Sequence, residues 1–572
     1  MLASERLAEP IPGKNTLKNK SLTFKSVILL MTVLLLGCKS NLEKVDSIYY
    51  NGNIFTMDDN ITRGGRPSVI VIKDGKILAV GDSTLLNRYT CGDEHKINLN
   101  RQFVMPGLID AHCHFYGYAK TLLTCNLVGT KSWQEVISKV DSFSETTSDA
   151  WIMGRGWDQN DWDNKAYPTF NELNLLFPDR PVILKRVDGH AAICNAKALT
   201  LAGITNKTSI NGGEIVLDKG QLTGVLVDNA VDSVEKIIPQ PSAESMTRVL
   251  KQAEKECLSL GLTTLADAGL DVETCLYLDS LGRSKELSIY LYMMLNPTEN
   301  GLKYAKEKGV LENDHSKICS FKLYADGALG SRGAKLKIPY CDRPGHSGML
   351  LNDVTYFDYW CGQIKNHTTY QVNTHCIGDS ANRLLLEVYG KYLKGKNDER
   401  WRIEHAQVID PNDFPLFKKY SIIPSVQPTH ATSDGPWVAD RLCNYRKKGA
   451  YAYQTLFLQN GYLPLGTDFP VEYLNPLYTY YSAVFRLNAN QKEQPAFEID
   501  EQLTPLQAIA GMTISAAKAC RLEHRKGSIT AGKDADFIVL SQELFISDKN
   551  NVLNTKVLKT VVRGKELYNI GD

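Results

Sequence analysis

The chain has 572 residues, 43% hydrophobic and 23% charged, an ordinary globular balance with room for one large domain and a companion. Its 65 basic residues face 64 acidic ones, so the net charge is +1. No field is present that would draw in nucleic acid or an anionic surface, and a small-molecule partner is expected.

In chain order, the first element is a leader. Lys18, Lys20 and Lys25 precede the apolar run Val27 to Leu36, too short to cross a bilayer as a typical helix and suited to the core of a signal peptide. The run ends in Leu35-Leu-Gly-Cys38, which resembles the bacterial lipobox. That resemblance implies loss of residues 1–37, lipidation of Cys38, and an exported protein anchored to a membrane of the bacterial cell envelope. A buried helix or a short uncleaved anchor is the competing reading. The other cysteines form no C-x-x-C pair or compact framework, and Cys113, Cys194, Cys319 and Cys376 read as buried thiols.

Residues 44–104 carry β-rich runs, including Ser68 to Gly81 with Asp74-Gly75 as a hairpin turn. Residues 521–572 repeat the type, with Arg563-Gly564 at the turn. Neither end has enough strands to bury a core alone, so both are expected to form one composite β-sandwich. Between them, residues 105–520 alternate strands with helices, the pattern of a parallel sheet closed into a (β/α)8 TIM-like barrel. Capping boxes are expected at Ser132/Glu135 and Thr504/Gln507, and helices over Ala243 to Leu262, Ala381 to Lys394 and Ala508 to Lys518. The stretch around 130–240 exceeds one strand-helix unit and reads as an insertion shaping the pocket.

The chemistry begins at His112 and His114, which close the run Phe103 to His114. Side chains two apart on a strand point the same way, so both imidazoles can address one metal ion. Further strand-like segments end in Lys322, His375, His405 and Asp468. In a barrel the C-terminal strand ends converge on one mouth, which would gather these distant residues. By the same alternation, Arg402 and Glu404 are expected to face away from His405 and to give outer support.

The chain is similar to the amidohydrolase superfamily of metal-dependent hydrolases, in its amidohydrolase-3, YtcJ-like branch. The motifs are Met105-Pro-Gly-Leu-Ile-Asp-Ala-His-Cys-His114, Gly154-Arg-Gly-Trp-Asp158, Arg186-Val-Asp-Gly-His190 and Lys322-Leu-Tyr-Ala-Asp-Gly327. His375-Cys-Ile-Gly-Asp379, Arg402-Ile-Glu-His-Ala-Gln407, Gly466-Thr-Asp468 and Gly527 to Leu540 complete them. The resemblance implies two divalent metals, His112, His114 and Asp468 holding one and His375 and His405 the other. Lys322 would bridge them as a carbamate. Zinc suits the donors, with manganese, iron, cobalt or nickel as alternatives.

The implied activity is hydrolysis of a C–N bond in a linear amide or formamide by a metal-activated hydroxide, with Asp468 as proton carrier. A cyclic amidase or deaminase of the same superfamily, or an envelope lipoprotein that binds without cleaving, are the alternatives. His190 is assigned to the substrate or its scissile carbonyl, while Trp157, Tyr324 and His430 are candidates for lining the pocket. Self-association of the chain is also open.

Overall fold

Strands from the two ends of the chain meet in a computed structural model that describes residues 42–58, 65–187, 189, 191–210, 213–490, 494–545 and 548–571. The expected leader, Cys38 and His190 lie outside the described residues. One sheet runs in the order Lys76–Gly81, Val69–Lys73, Ser47–Tyr50, Lys96–Asn98. The facing sheet runs Lys565–Asn569, Val557–Val562, Phe537–Leu540, Phe103–Pro106, Asn53–Ile54. Phe537–Leu540 lies antiparallel to Phe103–Pro106, so a late strand pairs with an early one. Tyr49, Ile70, Ile72, Val104, Phe537, Val539 and Val561 form the shared core.

The two hairpin turns show why those dipeptides stand there. Asp74 and Gly75 have φ of 52° and 73°, and Arg563 and Gly564 have 48° and 74°, the doubly left-handed geometry that matches strand twist. The turns also pack together. A Cβ on Gly564 would sit 2.8 Å from Ile72 Cγ2, and Ala535 bridges the turns, donating to Gly75 O and accepting from Gly564 N–H at 3.0 Å each.

The barrel strands are β1 (Leu108–Cys113), β2 (Leu262–Leu270), β3 (Tyr290–Leu295), β4 (Ser316–Tyr324), β5 (Gln371–Cys376), β6 (Arg402–His405) and β7 (Ile423–Ser425). Each pairs in parallel with the next. The segment Leu463 to Phe469 closes the gap between β7 and β1. On one side Val426 N–H donates to Pro464 O at 3.1 Å, and Gly466 N–H donates to Val426 O at 3.0 Å. On the other, Ala111 N–H donates to Leu465 O, Asp468 N–H to His112 O and His114 N–H to Phe469 O, at 3.1, 2.8 and 2.8 Å. A Cβ on Gly466 would lie 2.6 Å from His112 N, so this approach to β1 requires glycine.

Helices cover the barrel's outer face. Ala243–Ser259 is capped by Ser242, whose hydroxyl accepts from Ser245 N–H, and it buries Met246, Val249, Leu250, Ala253 and Cys257. Thr504 and Gln507 form the complete capping box, whereas Glu135 takes Lys131 N–H and leaves the Ser132 box half made. The single helix expected over Ala508 to Lys518 is two, Pro505–Gly511 and Ile514–Ala519. Thr513 breaks it with φ −135° and ψ −97°, its hydroxyl donating to Ile509 O at 2.6 Å.

The insertion builds a mixed sheet in the order Cys125–Asn126, Ile152–Trp157, Val182–Arg186, Ala191–Cys194, Gln221–Asp228, Gly213–Asp218. It has a core of its own, and Trp157 belongs there. That indole is fully buried, donates from Nε1 to Leu184 O at 2.7 Å and packs on Trp162 at 5.9 Å, so the pocket-lining expectation for Trp157 is corrected to packing. Cys113, Cys194, Cys319 and Cys376 are buried thiols. Cys341 and Cys443 form a disulfide that no local spacing announced.

Candidate active site

Lys322, His375 and His405 occupy the C-terminal ends of β4, β5 and β6, while His112 lies at the end of β1 and His114 just beyond it. Asp468 stands on the closing segment. The His112 and His405 nitrogens and an Asp468 oxygen lie within 4.8 Å of one another. Asp468 Oδ1 is 3.5 Å from His112 Nε2 and 3.2 Å from His114 Nε2. The His375 ring sits 4.5 Å from that of His405, and Lys322 Nζ lies 3.3 Å from His112 Nε2. The structure thus brings together His112, His114, Lys322, His375, His405 and Asp468.

The outer nitrogens explain the orientation. His112 Nδ1 is 2.6 Å from Glu404 Oε2, His114 Nδ1 is 3.0 Å from Ala268 O, and His405 Nδ1 is 2.7 Å from Gln427 Oε1. Each partner is an acceptor, so each Nδ1 carries the proton and each Nε2 turns its lone pair inward. His375 Nε2 is buried with no hydrogen-bond partner. Neutral imidazole nitrogens, one unpartnered, around a carboxylate oxygen form a donor set that fits a divalent cation such as zinc.

Arg402 and Glu404 do not face away. Both are fully buried inside the barrel, where Arg402 Nε lies 2.7 Å from Glu404 Oε1 and its Nη2 donates to Ala111 O at 2.6 Å and Ser425 Oγ at 2.9 Å. The reason is backbone geometry. His405 and Ala406 have φ of 70° and 43°, which breaks strand alternation and lets Glu404 and His405 both turn inward. Asp468 is also left-handed, at φ 63°. Sequence alternation could not reveal either departure.

Burial sets the protonation states. It pushes His112 down to about 4 and His375 to about 3, and His405 well below its usual value, so all three are neutral. It also lowers Lys322 to about 8, against the pull of Glu404 and Asp468. Burial opposes the charge on Asp468 and Glu404, yet both stay ionised. The adjoining His114 and a bond from His430 hold Asp468 well below the carboxylate range, and Arg402 with His112 brings Glu404 to about 2.

Two of the weaker sequence candidates lie here. Tyr324 places its ring 4.9 Å from Lys322 Nζ and 5.9 Å from His375. His430, on the helix Pro428–Arg446, sits between carboxylates, with Nε2 3.1 Å from Asp468 Oδ2 and Nδ1 3.5 Å from Glu472 Oε1. Glu472 and Gln427 carried no signal in the sequence, since neither stands in a spaced motif.

A closed parallel barrel with inward imidazoles and a carboxylate at its mouth is the architecture of a metal-dependent hydrolase. The chain belongs to the amidohydrolase family, whose model matches residues 96–568. Putative amidohydrolase YtcJ of Bacillus subtilis is 31% identical over 91% of this chain and 99% of its own. Protein LONG AFTER FAR-RED 3 of Arabidopsis thaliana is also 31% identical, over 91% of each chain. N-substituted formamide deformylase of Arthrobacter pascens is 24% identical over 91% of this chain and 98% of its own. Among solved structures, an uncharacterized metal-dependent hydrolase from Pyrococcus horikoshii superposes with a TM-score of 0.72 at 26% identity, covering 88% of this chain and 99% of that one.

Proposed function

We propose that the chain hydrolyses a linear amide or formamide of a small amine. The observation that carries this reading is the inward set of His112, His114 and His405 lone pairs around Asp468 Oδ1, with His375 Nε2 unpartnered beside it. The formamide deformylase named above supports the substrate class. Zinc held by His112, His114, His375, His405 and Asp468 would supply an activated water and polarise the substrate carbonyl. We read the site as taking two ions, with Lys322 carbamylated between them.

The chain's own groups divide the remaining work. Asp468 is ionised, so its carboxylate can take a proton from the attacking water and deliver it to the leaving nitrogen. Glu404 and Gln427 keep their imidazoles from turning. The Tyr324 ring forms a wall beside Lys322. A lipid anchor at Cys38 would place this hydrolase at the cell envelope, and release of a Cys38→Ala variant from membranes would be its signature.

The test is turnover of N-formyl and N-acyl amines by protein of measured metal content. Release of free amine that disappears on chelation and returns with zinc is expected. Stoichiometric metal with no hydrolysis of any linear amide would overturn the reading.

A further inference from the structure

Asp468 presents its two oxygens to different surroundings. Oδ1 faces the imidazoles, 3.2 Å from His114 and 3.5 Å from His112, while Oδ2 is held by His430 Nε2 at 3.1 Å. His430 does not stand alone. Its other nitrogen is 3.5 Å from Glu472 Oε1, and the same oxygen accepts a 2.5 Å hydrogen bond from Ser433, one helical turn after His430 on the same helix. The imidazole is clamped between two acceptors, and the second acceptor is tied back to the helix that carries the imidazole.

A free aspartate at the end of a strand can rotate about its side-chain torsions and offer a cation both oxygens. This one cannot, because rotation would break the bond to His430. We propose that His430, anchored by Glu472, is a positioning residue that holds Asp468 monodentate, with Oδ1 turned to the metal donors and Oδ2 kept out of their reach. The effect is reinforced by the backbone, since Asp468 has a φ of 63° and its N–H donates to His112 O. Ser433 and Glu472 line a cavity of about 180 Å³ with Tyr473, Tyr478 and Asn488. Neither His430 nor Glu472 is required to bind metal for this role.

The inference rests on the assignment of Asp468 above, and its test separates the two. Zinc affinity is measured by competition with a chromophoric chelator, alongside kcat and KM on an N-formyl amine. His430→Leu should weaken zinc by about tenfold or more and lower kcat similarly, with KM changed less than about twofold. His430→Gln, whose amide nitrogen reaches the place of Nε2, should recover most of both losses. Glu472→Ala, at a partly exposed site, should move in the same direction as His430→Leu, and Glu472→Gln should stay near the parent. Protein that hydrolyses no amide would remove the proposed function but leave the zinc series to decide positioning. Parental zinc affinity in His430→Leu, or a folded His430→Gln no better than His430→Leu, would overturn the proposal.

Discussion

At the scale of single residues the site is a problem of charge. Lys322 is almost fully buried, with its amine 3.3 Å from His112 Nε2, at the edge of a space where a cation is to bind. An ammonium there would repel the metal, whereas burial lowers the lysine to about 8 and leaves a neutral fraction able to react with carbon dioxide. The carbamate that would result, with the amine's proton released, would be an anion in the right place. Lys322→Ala should therefore bind less metal and lose most activity, and a short carboxylic acid at high concentration should restore part of it by standing in for the bridge. No restoration, with an unmodified lysine seen beside a fully loaded site in the parent, would leave a one-metal arrangement instead.

At the scale of elements, what was legible in the sequence is what depends on local pattern. The hairpins at Asp74-Gly75 and Arg563-Gly564, the capped helices and the order of ligand-bearing strands all follow from residue types at short spacing. The inward turn of Glu404 was not legible, because it hangs on left-handed backbone at His405 and Ala406. Nor was the Cys341–Cys443 bond, whose partners are 102 residues apart. That disulfide joins the loop after β4 to the helix carrying His430, where Arg441 also pairs with Asp342 and donates to Gly330 O, and Arg446 donates to Ile338 O and Pro339 O. Its removal should show as lost stability. The chain-entropy argument gives about 4.7 kcal/mol as the upper bound for so long a loop, so Cys341→Ser should cost about 2–5 kcal/mol, read as a lower urea midpoint that matches the reduced parent. An unchanged midpoint would mean that the polar contacts alone hold this loop.

For the whole molecule, the neutral histidines that prepare the site each favour the unfolded chain as the metal-free protein is acidified. His112 and His375 titrate near 6.5 when unfolded but at about 4 and about 3 when folded, and His405 is held well below its usual value. Below pH 6.5 each of these imidazoles is protonated in the unfolded chain but not in the native one, so each removes stability as pH falls, on the order of 1.4 kcal/mol per pH unit, while burial raises Asp110 and Asp326 to about 7 and Asp267 to about 6 and so adds stability in the same window. His430 acts in the opposite window. Although burial opposes its charge, Asp468 and Glu472 raise it to about 10, so its contribution is fully present below 6.5 and is lost as pH rises through 10. From pH 7 to pH 5 the urea midpoint of metal-stripped His375→Gln should gain on that of the parent by about one proton's worth of slope. A variant midpoint that follows pH in parallel with the parent's would show that His375 titrates alike in both states, which is incompatible with a neutral buried imidazole and with the metal reading built on it.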